Sequence, residues 1–249
     1  MRVDNVHKSE RHRQIMNDIR ASVRSALLSE NRIDMFELSN VSFTDDHALI
    51  VEGTVASVKA KKLALERIGA LPDVDLIIDR LRVRPAEAMS DSGIRAHLRG
   101  AYLQEPSFAG LAITQEADRA VSAPPEPGGT LDYSVADGIV TLNGSVPGLA
   151  SKRLAGLLAW WVPGSRDVIN GLSVAGDEED SPQAVEEAVR IALEKDPFID
   201  AGQIRVGARH HVVRLTGIVA TDVQKDMAEN DAWATFGVDD VINEIAVGP

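Results

Sequence analysis

One spacing recurs three times in the chain and constrains its fold more than any other feature. Apolar alternation ending in polar-Gly-x-Val occurs as LIVEGTV at 49–55, VTLNGSV at 140–146 and VRLTGIV at 213–219. A second strand-like run follows as IIDRLRV at 77–83, VINGLSV at 168–174 and VINEIAV at 241–247. From the glycine to the start of that run the distance is 24 residues each time: Gly53 to Ile77, Gly144 to Val168 and Gly217 to Val241. Equal spacing in three places indicates an internal repeat.

Helical patterns lie before and between these runs. The helix before each hairpin has apolar residues at i, i+4 and i+8: Ile19, Val23, Leu27; Ile94, Leu98, Tyr102; and Val185, Val189, Leu193. The helix after each hairpin carries capping signals in two copies, with Ser57 in the first and Thr221 with Gln224 in the third. Each copy is therefore predicted to be a helix, two strands, a helix and a strand.

We predict an α+β fold of three tandem α-β-β-α-β units, each a three-stranded mixed sheet covered by two helices. The units are expected at residues 14–84, 90–176 and 181–248, with linkers near RVRPAEAMSD and AGDEED. The glycines Gly53, Gly144 and Gly217 end the second strand of each unit, and we predict that they serve positive φ or close packing. The alternative is that glycine is only tolerated at these strand ends.

The hairpin tips differ among the copies. Asp137-Gly138 is a strong signal for a two-residue turn. Asp45-Asp46 and Arg209-His210 are predicted at the tips of the other two hairpins.

Three features resemble the BON domain, a family named for bacterial osmotic-shock and nodulation proteins. They are DGIVTLNGSV at 137–146, a following helix of small residues, and a final V-I-N-x-[LI]-x-V. The first copy departs from this pattern, since HALIVEGTV lacks the Asp-Gly turn and Asp79 replaces the asparagine. The resemblance implies a non-enzymatic binding or scaffolding module of the cell envelope, with phospholipid or another envelope component as its partner.

The second helix of the middle copy, within RLAGLLAWWVPG at 153–164, is far more apolar than its counterparts. Leu157 aligns with Glu66 and Asn230, Leu158 with Arg67 and Asp231, and Trp161 with Ala70 and Ala234. We predict an interaction patch of Leu157, Leu158, Trp160 and Trp161, in which Trp160, aligned with Gly69 and Trp233, is the expected core residue. Three alternatives stay open: packing within the same chain, a protein or self-association interface, and a lipid surface.

The second unit also carries an insertion within residues 109–129, which ends in a segment rich in proline and glycine. A long loop in a compact domain is usually either functional or disordered, and the sequence favours neither.

Charge is distributed unevenly. Residues 177–249 carry 6 Lys and Arg against 16 Asp and Glu, so the net charge of −12 falls almost entirely on the third unit. An acidic surface repels nucleic acid and anionic lipid, and nucleic acid is not expected as a partner. VKAKK and RLRVRP in the first unit could form a basic face, although scattered solvated charge is the favoured interpretation.

The sequence contains no recognisable chemical site. There is no cysteine, which excludes disulfides and thiolate ligands, and there is no phosphate-binding loop, HExxH helix or nucleophile elbow. His210-His211 is interpreted as a polar pair beside a turn, because adjacent strand residues point to opposite faces. We predict no catalytic residue, no cofactor and no metal, hence no enzyme.

Two functions are compatible with these observations. The first is a tandem-BON binding or scaffolding protein, associated with the envelope or with osmotic stress, that binds anionic phospholipid or an envelope protein. The alternative is a cytoplasmic assembly component that self-associates as a homo-oligomer or docks a protein partner, to which an unpaired edge strand could add.

Location follows from two opposing considerations. The first 20 residues have no continuous apolar segment, which predicts a cytoplasmic chain as encoded, and no stretch is long enough for a transmembrane segment. The family resemblance implies a periplasmic or membrane-peripheral location instead.

Overall fold

A computed structural model of the chain describes residues 17–72, 74–116, 119–176 and 180–248. The chain forms two compact units, Met1–Arg84 and Pro85–Pro249. The first repeat makes up one unit, whereas the second and third repeats together make up the other. Residues 14–16 of the predicted first repeat and the acidic residues 177–179 of the predicted linker lie outside the described residues.

The first unit has the predicted order of elements. They are α1 (residues 17–29), β1 (Phe36–Phe43), β2 (Leu49–Val55), α2 (Val58–Gly69) and β3 (Ile77–Val83). Strand β2 is central, antiparallel to β1 and parallel to β3. The helices cover one face, and Val23, Leu27, Leu63 and Ile68 are fully buried between helix and sheet.

The second unit contains two further copies of this arrangement. The second repeat has α3 (Asp91–Gln104), β4 (Leu111–Gln115), β5 (Arg119–Ser122), β6 (Gly129–Ala136), β7 (Ile139–Val146), α4 (Leu149–Trp160), β8 (Asp167–Asn170) and β9 (Ser173–Val174). The third has α5 (Pro182–Lys195), β10 (Ile204–Arg209), β11 (Val212–Val219), α6 (Asp222–Ala234) and β12 (Asp240–Val247). The predicted α+β fold of three repeated units is confirmed.

The insertion in the second repeat contains two strands, β4 and β5, that extend its sheet. Strand β4 pairs in parallel with β6, and β5 pairs antiparallel with β4. Leu111 and Ile113 of β4 are buried in the core of the repeat, and Thr114 Oγ1 donates to Asp132 Oδ1 at 2.6 Å. The predicted loop at 109–129 is therefore wrong in part, because alternating apolar residues in 111–115 give it a face to bury.

Local signals identified the helix starts. Ser57 and Thr221 accept backbone N–H groups at 3.1 and 3.2 Å, as N-cap residues do. Gln224 reaches back one residue further than the predicted capping box requires, because its Oε1 accepts from the N–H of Ala220 at 3.1 Å rather than from that of the N-cap Thr221.

The tip of the third hairpin lies one residue beyond its predicted position. Arg209 ends β10, and His210 and His211 form the turn with φ of 48° and 63°. Asp137 and Gly138 have the same pair of positive φ angles, 54° and 74°. Two positive angles are typical of a type I′ turn, which matches the twist of the flanking strands.

The repeated glycines lie where neighbouring backbone leaves no room for a side chain. A Cβ on Gly53 or Gly144 would lie 2.2 or 2.4 Å from a carbonyl oxygen of the adjacent strand, and one on Gly217 would lie 2.0 Å from the carbonyl oxygen of Gln203, the residue before β10. Gly144 and Gly217 also have positive φ, of 117° and 135°. Both the close approach and the backbone angle require glycine at these two positions.

The asparagine of the V-I-N motif fastens the last strand of a repeat to its second helix. Asn170 Nδ2 donates to the carbonyl of Lys152 at 2.8 Å, and Asn243 Nδ2 donates to that of Lys225 at 3.1 Å. In the first repeat the equivalent residue is Asp79, whose carboxylate side chain has no N–H to donate. The side chain of the equivalent lysine, Lys61, is buried there instead and forms an ion pair with Asp79 at 2.9 Å.

We expect Gly217→Ala to destabilise the second unit by about 3 kcal/mol or more, because its Cβ would overlap Gln203 O at an unfavourable φ. Gly207→Ala in the same sheet is the matched control, since a Cβ there meets open space, and it should be neutral or stabilising by up to about 1 kcal/mol. Urea unfolding followed by tryptophan fluorescence measures both, because Trp160, Trp161 and Trp233 all belong to this unit. Equal midpoints for the two variants would contradict the steric argument.

Candidate functional site

Helix α4 is buried on two sides, which changes the meaning of the predicted patch. Leu157 is only 3% exposed and belongs to the core of the second repeat, so it is not a surface residue of the predicted interaction patch. Leu158 and Trp161 are half-buried and pack against the same core. Trp160 is half-buried, unlike the fully buried Trp233 with which it aligns, so the expectation of a core Trp160 is wrong as well.

Trp161 connects the second repeat to the third. Its indole Nε1 donates to Asp231 Oδ1 of α6 at 2.9 Å. Asp231 is 5% exposed, and burial raises its pKa to about 7; the indole hydrogen bond opposes this rise, whereas the nearby Asp196 carboxylate adds to it. Of the alternatives open for the apolar helix, the contacts of Leu157 and Trp161 match packing within the same chain.

Arg153 makes a second connection between these repeats. Its guanidinium is almost fully buried, donates to the carbonyl of Phe236 at 2.9 Å and pairs with Asp180 in front of α5. The aligned residues are Lys62 in the first repeat and Asp226 in the third. A residue that differs in every copy gives no sequence signal for such a role, which is why sequence reasoning missed Arg153.

Lys195 and Glu105 make a third connection. Lys195 Nζ at the end of α5 lies 2.8 Å from Glu105 Oε2, which follows α3. Burial alone would raise the pKa of Glu105, but hydrogen bonds from Lys195 and Ser107 outweigh it and hold the pKa below its usual value. Together, the contacts of Trp161, Arg153 and Lys195 define the inter-repeat junction.

A cleft opens between α4 and α5 beside the inter-repeat junction. Its volume is about 260 Å³. The α4 wall presents Leu154 and Leu157, and the α5 wall presents Ala184, Ala188 and Ile191. The charged groups at its margin are already paired, Arg153 with Asp180 and Lys195 with Glu105. The cleft can therefore accept an apolar group without leaving a buried charge uncompensated.

Among the described residues, this surface shows no cluster of side chains suited to bind a metal ion. The part of the chain that the structure describes holds no group of three or more His, Cys, Asp or Glu arranged to bind a metal ion. Within the same ranges, no helix combines the length and the apolar character needed to cross a bilayer.

Comparison with known proteins gives a consistent family match. The model of the BON domain family matches residues 17–85, 90–176 and 181–249. The osmotically-inducible protein Y of Escherichia coli K12 is 26% identical over 163 residues, which cover 63% of this chain and 72% of that protein.

Two solved structures also resemble the chain weakly. The C-terminal domain of CdsD, the structural protein of the type III secretion system of Chlamydia trachomatis, is 15% identical, with 94% of this chain and 98% of that one covered and a TM-score of 0.24. A second CdsD structure is 16% identical, with 93% of each covered and the same TM-score of 0.24. A score this low supports no conclusion about shared architecture.

We expect Arg153→Met to destabilise the second unit by about 2–4 kcal/mol, since it removes a buried ion pair and leaves the Phe236 carbonyl without its donor. Arg214→Met is the matched control: that side chain is 55% exposed and pairs with Glu244 at the surface, so its loss should cost less than about 1 kcal/mol. Urea unfolding followed by tryptophan fluorescence compares the two, and indistinguishable midpoints would show that the junction adds little stability.

Proposed function

Because this chain belongs to the BON domain family, we propose that it is a non-enzymatic, stress-associated binding protein whose partner is an envelope protein. The observation that carries this proposal is the open apolar cleft between α4 and α5. Clefts with apolar walls and few polar groups are the usual places where proteins receive a ligand or a partner side chain. The charged residues beside it support the fold and leave no catalytic group in position.

Charge favours a protein over an anionic lipid as the partner. The α5 wall belongs to the third repeat, and residues 177–249 carry 16 acidic against 6 basic residues. Such a surface repels anionic headgroups and attracts a basic protein. The proposed partner is thus a basic envelope protein that inserts one apolar side chain between Leu157 and Ala188.

The association with stress rests on the relative from Escherichia coli, which is named for its induction by osmotic change. We propose that the present chain acts under the same condition. Its gene should be needed for growth after a rise in osmolarity, and a variant with a filled cleft should fail to restore that growth. If the filled variant restores growth as well as the wild type does, the role in osmotic stress does not depend on the cleft.

We expect Ala188→Trp to fill the cleft and to weaken partner binding by about tenfold or more, since a buried anchor residue carries much of the energy of an interface. Gln183→Trp is the matched control, because Gln183 lies on the same helix but is exposed and outside the cleft. The partner is first identified in cells by photo-crosslinking from Glu187 on the cleft wall, with Arg190 on the exposed side of α5 as the negative position. Titration calorimetry with the purified partner then compares the two tryptophan variants.

Flotation with neutral and anionic vesicles tests the competing partner, phospholipid. Binding to anionic vesicles that Ala188→Trp abolishes and Gln183→Trp preserves would replace the protein partner with lipid. Self-association is measured by light scattering of the wild type and both variants. A dimer that Ala188→Trp dissociates would make a second copy of the chain the occupant, and equal partner binding by both variants would remove the cleft from the proposal.

A further inference from the structure

A second pocket lies on the other side of the inter-repeat junction, where the ends of α4 and α5 meet α6. Its volume is about 340 Å³. Two aromatic side chains line it, Trp161 and Phe198, and Phe198 is 67% exposed. Two carboxylates, Asp196 and Asp231, line the same space. The pocket shares no lining residue with the cleft between α4 and α5.

Both carboxylates of this pocket are buried, and among the described residues one oxygen atom of Asp231 has no hydrogen-bond donor. Asp231 Oδ1 accepts from Trp161, but no donor among the described residues reaches Asp231 Oδ2. Asp196 is 8% exposed, and its Oδ1 accepts from the N–H of Phe198 at 2.8 Å. A buried carboxylate oxygen without a hydrogen bond is costly, and a second carboxylate beside it increases the cost. A bound cation with N–H donors would relieve both penalties.

The composition of the pocket selects among cations. A calcium ion takes six to eight oxygen ligands, whereas two carboxylates and the amide of Asn230 offer few. Aromatic rings attract ammonium groups by cation–π interaction, and Met227 adds an apolar wall for an alkyl chain. We propose that this pocket binds the primary ammonium group of an aliphatic amine, with its N–H groups on Asp231 and Asp196 and its chain between Trp161 and Phe198.

Surrounding charge supports this assignment. Asp196 faces Asp231 from the end of α5, Trp161 faces it from the end of α4, and Asn230 and Met227 lie beside it on α6. Among the residues that the structure describes, no lysine, arginine or histidine lines the pocket. The neighbouring Lys195 is held by Glu105 at 2.8 Å. The acidic third repeat also raises the local concentration of cations.

Binding should depend on pH in a defined direction. The raised pKa of Asp231, about 7, means that the carboxyl is protonated below that pH and charged above it. Because an ammonium group competes with this proton, affinity should rise as pH increases through 7 and level off above it. Between pH 6 and pH 8 the gain should be about tenfold. An alkylammonium group stays charged over this range, so the ligand itself adds no pH dependence.

The test is a titration of the full chain with pentylammonium chloride, followed by the NMR signal of the Trp161 indole N–H, which Trp161→Phe assigns. We expect a saturable shift at pH 8 and about tenfold weaker binding at pH 6. Asp231→Asn and Asp196→Asn should each weaken binding by about tenfold or more. Asp226→Asn, on the exposed side of α6, is the matched control and should not change it. Thermal unfolding checks that each variant is folded.

Three results would overturn the proposal. Equal binding of pentan-1-ol, the neutral isostere, would reduce the pocket to an apolar cavity. Unchanged binding in folded Asp231→Asn would remove the carboxylate from the site. Displacement of the amine by micromolar calcium would make it a metal site. If Asp231→Asn does not fold, the proposal is tested by Asp196→Asn and by the pH dependence of the wild type. Unchanged binding in both measurements would contradict it.

The source of the ammonium group is settled by a second probe. Nα-acetyl-lysine amide presents the same group on a peptide backbone. Tighter binding of this probe than of pentylammonium assigns the pocket to a lysine side chain of a protein, and the reverse assigns it to a free amine.

Discussion

Helix α4 carries apolar side chains on two sides, and a helix of this kind has to be covered on both. Its own sheet covers one side, and α5 and α6 of the third repeat cover the other. The equivalent helix α2 presents Glu66 and Arg67 instead, and Arg67 pairs with Glu30 of its own repeat at 2.6 Å. The first repeat is thereby complete in itself, whereas the second repeat needs the third. Both the cleft and the second pocket lie where helices of the second and third repeats meet along this contact.

Polar groups divide into two kinds along the inter-repeat junction. Arg153 is buried and Lys195 is about one third exposed, and each meets a carboxylate, so the cost of removing their charge from water is largely offset. Asp231 is as deeply buried but faces another carboxylate. The paired side chains of Arg153 and Lys195 hold the two repeats together. Asp231 instead has an unfavourable interaction with a second carboxylate, which a bound cation can relieve. The paired residues thus surround the proposed binding pocket and hold its walls in place.

Features that depend on neighbours in sequence could be predicted, and those that depend on contacts across the fold could not. Ser57, Thr221 and the Asp137-Gly138 turn act within four residues, and the 24-residue spacing shows that the same order of elements occurs in three copies. The pattern of elements also predicted a mixed three-stranded sheet in each copy. The surroundings of Leu157 could not be decided from the sequence, because its apolar character is equally compatible with a partner protein and with a neighbouring repeat. Arg153 and Asp231 carry no signal at all, since their roles appear only when α4, α5 and α6 lie together.

The last strand of a repeat is attached to its second helix in two ways that share one residue. A lysine stands at the helix position in all three copies, as Lys61, Lys152 and Lys225. Where the strand carries Asp79, the lysine side chain is buried against it. Where the strand carries an asparagine, the lysine carbonyl accepts from its amide. Because the same lysine can serve either strand residue, a single exchange between aspartate and asparagine at this strand position keeps a bond to the helix.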